Sequence, residues 1–245
     1  FDPATDILPA NEMVALDRWV VDQAAILQKE IQGYYDAYQF HSIYQKVHNF
    51  CALELGGFYL DVIKDRQYTA KPDGVARRSA QTALYHIVEA LTRWIAPILS
   101  YTADELWQFI PGKREATVFV ETWYEGLVSL NASTIMNANY WSTVLAVKTA
   151  VNKQIEVARK EGAIGSSLET EVVLYCSDEL KAMLDLLQNE LRFVLIASSA
   201  TVCDDQHVSA DVVATDVDGL QITVTKSTHE KCERCWHHRA DVGSN

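Results

Sequence analysis

The sequence predicts a mainly α protein: a helical bundle over residues 1–130, a small α+β domain over 139–226, and a truncated zinc knuckle in 227–245. Three observations predict it. Apolar residues recur at three- and four-residue steps through residues 9–110, the period of a helix face. After Gly162 the period changes, and Asp218-Gly219 separates two β-prone runs. Near the end, Cys232-Glu233-Arg234-Cys235-Trp236 spaces two thiols to grip one edge of a tetrahedral metal.

Residues 9–62 read as two long helices. Leu16, Trp19, Val20, Gln23, Leu27, Ile31 and Tyr34 line one face of the first, with Pro9 suited to its first turn and Gly33 weakening its far end. Phe40, Ile43, Tyr44, Val47, Phe50, Cys51 and Phe58 make the stripe of the second. Lys71-Pro72-Asp73-Gly74 is a turn. Leu84, Ile87, Val88, Leu91, Trp94 and Ile95 mark a third helix, ended by Pro97. Thr102-Ala103-Asp104-Glu105 is a capping-box pattern for a short helix that Pro111-Gly112 stops.

Val118 to Val120 reads as extended, Asn131 to Asn139 as polar and turn-rich, and a domain boundary is expected near 125–138. A long helix follows, with Val144, Val147, Val151, Ile155 and Ala158 on one face and Gly162 as its stop. Glu171 to Cys176 is β-prone, and Ser177 can cap a helix running through Leu187. Phe193 to Ala197, the longest apolar run, fits a buried element. Val212–Val217 and Leu220–Thr225 are the arms of the hairpin, and Leu220, Ile222 and Val224 alternate with polar residues as a half-buried strand should.

An apolar content of 49% is ample for real cores. No run approaches the roughly 18 apolar residues of a membrane span. Phe1 to Asp6 has neither a basic nor an apolar region of a signal peptide, and with the half knuckle it suggests the C-terminal part of something larger. Five cysteines without a paired framework suit a reducing, cytoplasmic setting. The net charge is -12, with 11 basic and 17 acidic side chains in residues 1–130 and 10 and 16 in the remainder. Neither half is basic, which argues against broad electrostatic binding of nucleic acid but leaves room for a local basic strip.

Few residues carry recognisable chemistry. There is no nucleotide-binding glycine loop, no G-x-S-x-G elbow and no H-E-x-x-H helix. His41 and His48 lack the spacing of metal ligands, and Asp61 and Asp65 are interleaved with Lys64 and Arg66. Gly162 to Ser167 could cradle phosphate or simply follow a helix stop. Lys64, Arg66, Arg77 and Arg78 flank the turn between two helices, so they could converge at one end of the bundle. Beside Tyr68 they suit an RNA backbone and an unstacked base, or else form a solvated surface. Cys232 and Cys235 are half of a metal site whose partners are absent, and His237 and His238 lie too close to Cys235 to complete it easily.

Several stretches carry a family resemblance. Phe40-His41-Ser42-Ile43-Tyr44, His48-Asn49-Phe50-Cys51 and Phe58-Tyr59-Leu60-Asp61-Val62-Ile63-Lys64-Asp65-Arg66 resemble the anticodon-binding helical domain of bacterial isoleucyl-tRNA synthetases. Leu16-Asp17-Arg18-Trp19, Arg78-Ser79-Ala80-Gln81-Thr82, Ala96-Pro97-Ile98-Leu99 and Thr102 to Trp107 are similar to other helices of that domain. Ile164 to Glu169 resembles a loop of the C-terminal junction domain, and Lys231 to Trp236 the start of the C-terminal zinc module. Valyl, leucyl, cysteinyl and methionyl synthetases share the helical domain, and the stretches at 58–66 and 231–236 point to the isoleucyl branch.

The resemblance implies a class I anticodon-binding bundle, and the residues expected from their chemistry to bind its RNA are Lys64, Arg66, Tyr68, Arg77, Arg78, Arg234 and Trp236. It implies tRNA(Ile) as partner; a monomer is expected, and the cysteine usage and the lack of a long apolar run add the expectation of a cytoplasmic protein with no membrane partner. The parent enzyme would activate isoleucine with ATP and Mg and charge the tRNA through a catalytic domain that lies upstream. This fragment alone should then be inactive, with the parent's zinc absent or loosely held at Cys232 and Cys235. From the residues alone, an acidic helical protein-interaction module with no RNA role stays open.

Overall fold

Asp2 opens the chain's first short helix, α1 (Pro3–Asp6), by accepting the Ala4 amide at 2.9 Å. The computed structural model describes residues 1–130, 134–205 and 212–243, so part of the expected turn-rich stretch at 131–139 lies outside the described residues. The chain divides into two compact units, Phe1–Asn137 and Ala138–Asn245.

In the first unit α2 (Ala15–Asp36) buries Leu16, Trp19, Val20, Leu27 and Ile31 as its period requires. It begins six residues after Pro9, which lies in the preceding turn. The entering chain is fixed instead by residues far along the sequence, since Thr82 accepts the Leu8 amide at 3.0 Å and Ser79 that of Val14 at 2.8 Å. Gly33 stays helical; the break comes at Tyr38, with φ 57°.

The second stripe forms one long rod. α3 (Phe40–Asn49) runs into a π-helical segment, Phe50–Tyr59, and then α4 (Leu60–Thr69). A π turn rotates the following residues relative to an α period. Here Phe50, Leu55, Phe58 and Tyr59 still reach the core. α5 (Val75–Ile95) starts nine residues before Leu84, because its first turns bury Ser79, Ala80, Thr82 and Ala83 instead of large apolar groups. α6 (Ser100–Phe109) begins before the capping-box residues. Leu99 is its N-cap, and Thr102 sits inside the first turn without capping it. Val118–Val120 forms a 3-10 turn capped by Thr117, not a strand, since Asp104 draws the Val118 amide to 3.3 Å.

The second unit opens with α7 (Ala138–Lys160), which buries Val144, Val147, Val151 and Ile155. Gly162 ends it at φ +74°, a left-handed conformation that favours glycine. The sheet order is β2-β1-β4-β3. β1 (Thr170–Cys176) pairs in parallel with β2 (Ser199–Asp204) and antiparallel with β4 (Leu220–Lys226). Ser177 caps α8 (Asp178–Asp185), which stops two residues short of Leu187; α9 (Glu190–Val194) follows. The hairpin turns at Gly219, φ +68°, but its first arm keeps only β3 (Val213–Ala214). β2 is a strand that the polar Ser198-Ser199 start conceals. Together the two units are a helical bundle and a small α+β unit, as the sequence predicts.

Candidate nucleic-acid interface

The end of α4 and the start of α5 are joined by the turn at residues 70–74, so the basic residues flanking it share one end of the first unit. The structure distributes their charges unequally. Lys64 is exposed and holds Asp61 at 2.6 Å. Tyr68 is 81% exposed. Arg77 is half-buried, and Arg78 forms an ion pair with Asp6. That neighbourhood holds the Asp6 carboxyl below its usual range, first through a hydrogen bond from the Asp2 amide and also through Arg78.

Arg66 does not belong to this surface. Its side chain is 4% exposed and its Nη1 lies 3.3 Å from the fully buried Asp17. The same carboxylate accepts hydrogen bonds from Tyr59 at 2.8 Å and from Ser79. Burial, and then the Asp17 charge, push the Tyr59 hydroxyl well above its ordinary pKa. Four elements therefore converge on one carboxylate, and Arg66 is a structural ion-pair partner rather than an RNA contact. The reason is geometric: Val62, Ile63 and Arg66 share one helical face, and that face is inward.

A second group of cations is also committed internally. Arg93 and Arg114 stack on Trp107 with guanidinium-to-centroid distances of 4.7 and 4.4 Å, and both bind Glu89.

In the second unit the loop Gly162 to Ser167 is not open to phosphate at Gly165. The Gly165 amide donates to Glu169 at 3.1 Å, and this bond, with Lys226 nearby, holds the Glu169 carboxyl below its usual range. The tail forms a tight knuckle. Lys231 and His238 form a bridge, the Trp236 amide donates to the Cys232 carbonyl at 2.9 Å, and Trp236 takes φ 64°. Amides of Cys235 and Arg234 donate to the Cys232 sulfur, and these bonds, with one from the Cys235 side chain, lower its pKa. Arg234 is exposed, and Trp236 is 59% exposed with the Lys231 ammonium 5.2 Å from its ring centre.

This knuckle fits half of a zinc site. Among the described residues no group of three or more His, Cys, Asp or Glu side chains could hold a metal. His237 is buried against Phe193 with its Nδ1 3.4 Å from Arg192, and His238 Nδ1 lies 2.8 Å from the His229 carbonyl. Neither joins the two thiols as part of a ligand cluster.

Sequence reasoning missed Asp17, Tyr59 and Ser79 as a unit, and missed Arg192 and Arg239. For two of them a signal was present: Asp17 lies between Leu16 and Val20 on a buried face, and Arg192 directly precedes the apolar run Phe193 to Ala197. No helix among the described residues is long and apolar enough to cross a membrane.

Residues 17–174 match the family described as the anticodon-binding domain of tRNA ligase. The chain is 57% identical over 243 residues to an isoleucine–tRNA ligase of Marinomonas sp., covering 99% of this chain and 26% of that protein. It is 58% identical over 245 residues to the isoleucine–tRNA ligase of Pseudomonas aeruginosa, again spanning 26% of the relative. It is 57% identical over the same length to isoleucine–tRNA ligase 1 of Pseudomonas fluorescens. The chain thus spans about a quarter of the length of these relatives. With most of the bundle and all of α7 inside the matched range, the chain belongs to the anticodon-binding domain family of tRNA ligases.

Proposed function

We propose that this chain recognises the anticodon stem–loop of tRNA(Ile) as part of an isoleucine–tRNA ligase. The observation that carries the reading is the family match over residues 17–174, joined to near-complete coverage by isoleucine–tRNA ligases. In this reading the bundle grips the loop through Lys64, Tyr68, Arg77 and Arg78. The α+β unit, taken as 139–226, supports the stem, and Arg234 and Trp236 of the tail meet the RNA from the module at 227–245. Lys64 and Arg234 are exposed, Arg77 and Arg78 half-buried; all four would contact phosphates, and Tyr68 and Trp236 offer rings for unstacked bases. The contribution to catalysis is positioning, since a held anticodon directs the acceptor end to a distant active site.

The parent enzyme would activate isoleucine with ATP and Mg and esterify the tRNA. Its zinc would take Cys232 and Cys235 as two of four ligands. The protein would act as a cytoplasmic monomer. The acidic balance of -12 keeps binding local to a few cations.

A filter-binding titration with tRNA(Ile) and a non-cognate tRNA tests the reading. Weak saturable binding that favours tRNA(Ile) is expected from the 245-residue chain, with no charging of isoleucine. Equal affinity for both RNAs would overturn the anticodon reading. Measurable aminoacylation would overturn the assignment of chemistry to another part of the parent.

A further inference from the structure

Arg192 carries a charge within an otherwise apolar helix end, between buried Leu191 and Val194. Its guanidinium lies over the Phe193 ring at 4.0 Å and 3.4 Å from His237 Nδ1. The charges of Glu190 and Asp241 reach it and favour its charged form, but burial outweighs them. A half-buried guanidinium is costly to desolvate, so a further anion beside it would be stabilising.

The space beside it has the shape for one. A cavity of about 360 Å³ is bounded by Arg192 and Asn189 at α9, by Ser198 and Ser199 at the start of β2, and by His229 and Arg239 of the tail. Two carboxylates reach the wall, and both are engaged. Asp241 is held by Arg239 through two bonds, of 2.7 and 3.0 Å. Glu171 accepts from Ser227 Oγ at 2.6 Å and lies 3.8 Å from His229 Nε2. The wall is itself well braced, since His238 donates its amide to Ser198 Oγ at 2.7 Å. Burial, and then the like charge of Arg239, make Arg192 a weaker base than an ordinary arginine, as two guanidiniums sharing a site require.

We propose that this pocket is a phosphate-binding site, with Arg192 as its principal anion contact and Arg239 as a second cation at its edge. A guanidinium fork matches the oxygens of a phosphate, and its stacking on Phe193 fixes the fork's plane before the ligand arrives. The site shares no residue with the set assigned above to the anticodon. The phosphate would be a phosphodiester of the bound RNA, which rests on the reading proposed above, or free phosphate, which does not.

Two arms separate these sources. In the first, the 245-residue chain is titrated with an RNA hairpin copying the anticodon stem–loop of tRNA(Ile), over a range of salt. Arg192→Gln should weaken binding about tenfold at low salt and reduce the salt slope by about one unit. Arg192→Lys should keep most of the slope while losing affinity, because it preserves charge but not the fork. In the second arm, inorganic phosphate is added to the wild-type chain and the Arg192 Nε–H resonance is followed by NMR.

If the wild type binds the hairpin and Arg192→Gln binds with unchanged affinity and slope, the RNA source is overturned while the anticodon reading stands. If the wild type binds no hairpin, the anticodon reading fails, and the phosphate titration judges the pocket alone. A saturable shift at Arg192 then supports a free-phosphate site, and an unmoved resonance together with an inert Arg192→Gln overturns the pocket. Should Arg192→Gln misfold, Arg192→Lys and the wild-type NMR titration still decide.

Discussion

Nη1 of Arg66 lies 3.3 Å from Oδ2 of Asp17, and this buried pair joins α4 to α2. Removing one partner leaves the other charge stranded in the core, which costs roughly 3–5 kcal/mol. Arg66→Ala should therefore lower the melting temperature of the first unit strongly. Lys64→Ala, two residues away on the exposed side, should change stability by less than about 0.5 kcal/mol. Thermal melts of the two variants check this, and equal losses would contradict it.

RNA binding should divide the same residues the other way. Lys64→Ala and Arg77→Ala should each flatten the salt dependence of tRNA binding by up to about one unit, the slope carried by one neutralised phosphate. Tyr68→Ala should leave that slope unchanged and weaken binding by about 1–3 kcal/mol, the range for a stacked base. Filter binding at several salt concentrations reads both effects. An exposed-cation variant with intact slope and affinity would mark that cation as ordinary surface.

Glu89 gives the first unit an acid-sensitive contact. Burial by itself would raise this carboxyl, but bonds from Arg93 at 2.5 Å and Arg114 at 2.9 Å outweigh it and hold the group below 4.5. A depressed carboxyl pKa stabilises the fold fully above the unfolded value, and that stability is lost as pH falls through the folded value. As pH falls below about 5 the wild-type melting temperature should drop more steeply than that of Glu89→Gln. Parallel curves for the two proteins would refute the contact's role.

Much of this was legible where periodicity reports burial. The faces of α2 and α7 follow their apolar residues, and the alternation of Leu220 and Ile222 gives β4 its inner side, whereas of the expected α5 stripe only Ile87 and Trp94 are buried, beside small and polar residues such as Ala80, Ala83, Glu89 and Thr92. Start points were harder. α5 buries small residues first, so that only the turn at residues 71–74 marks its start, and α2 is anchored by Ser79 and Thr82 from far along the chain, where no local signal shows it. β2 lacks alternation because its neighbour β1 and the helices beside it do the specifying. For the candidate site, charge alone misplaced Arg66. A cation three and four residues after Ile63 and Val62 shares their buried face, and only a carboxylate from another helix makes that tolerable.

The knuckle at Cys232 and Cys235 supports a prediction about metal. Two thiolates leave half of a tetrahedron to water, whereas structural zinc reaches roughly 10–16 kcal/mol only with a full ligand set coupled to folding. The tail nevertheless has contacts of its own, with His237 buried and the Lys231–His238 bridge closing the turn. The 245-residue chain should thus keep its knuckle by packing and hold zinc loosely, losing it to a mild chelator without a fall in melting temperature. A longer chain that supplies a second Cys pair should retain one zinc per molecule and lose it on Cys232→Ser. Metal analysis after chelation decides between them. One tightly held zinc on the 245-residue chain, lost on Cys232→Ser, would mean that His237 or another side chain moves to complete the site, giving up its packing on Phe193 or its approach to Arg192.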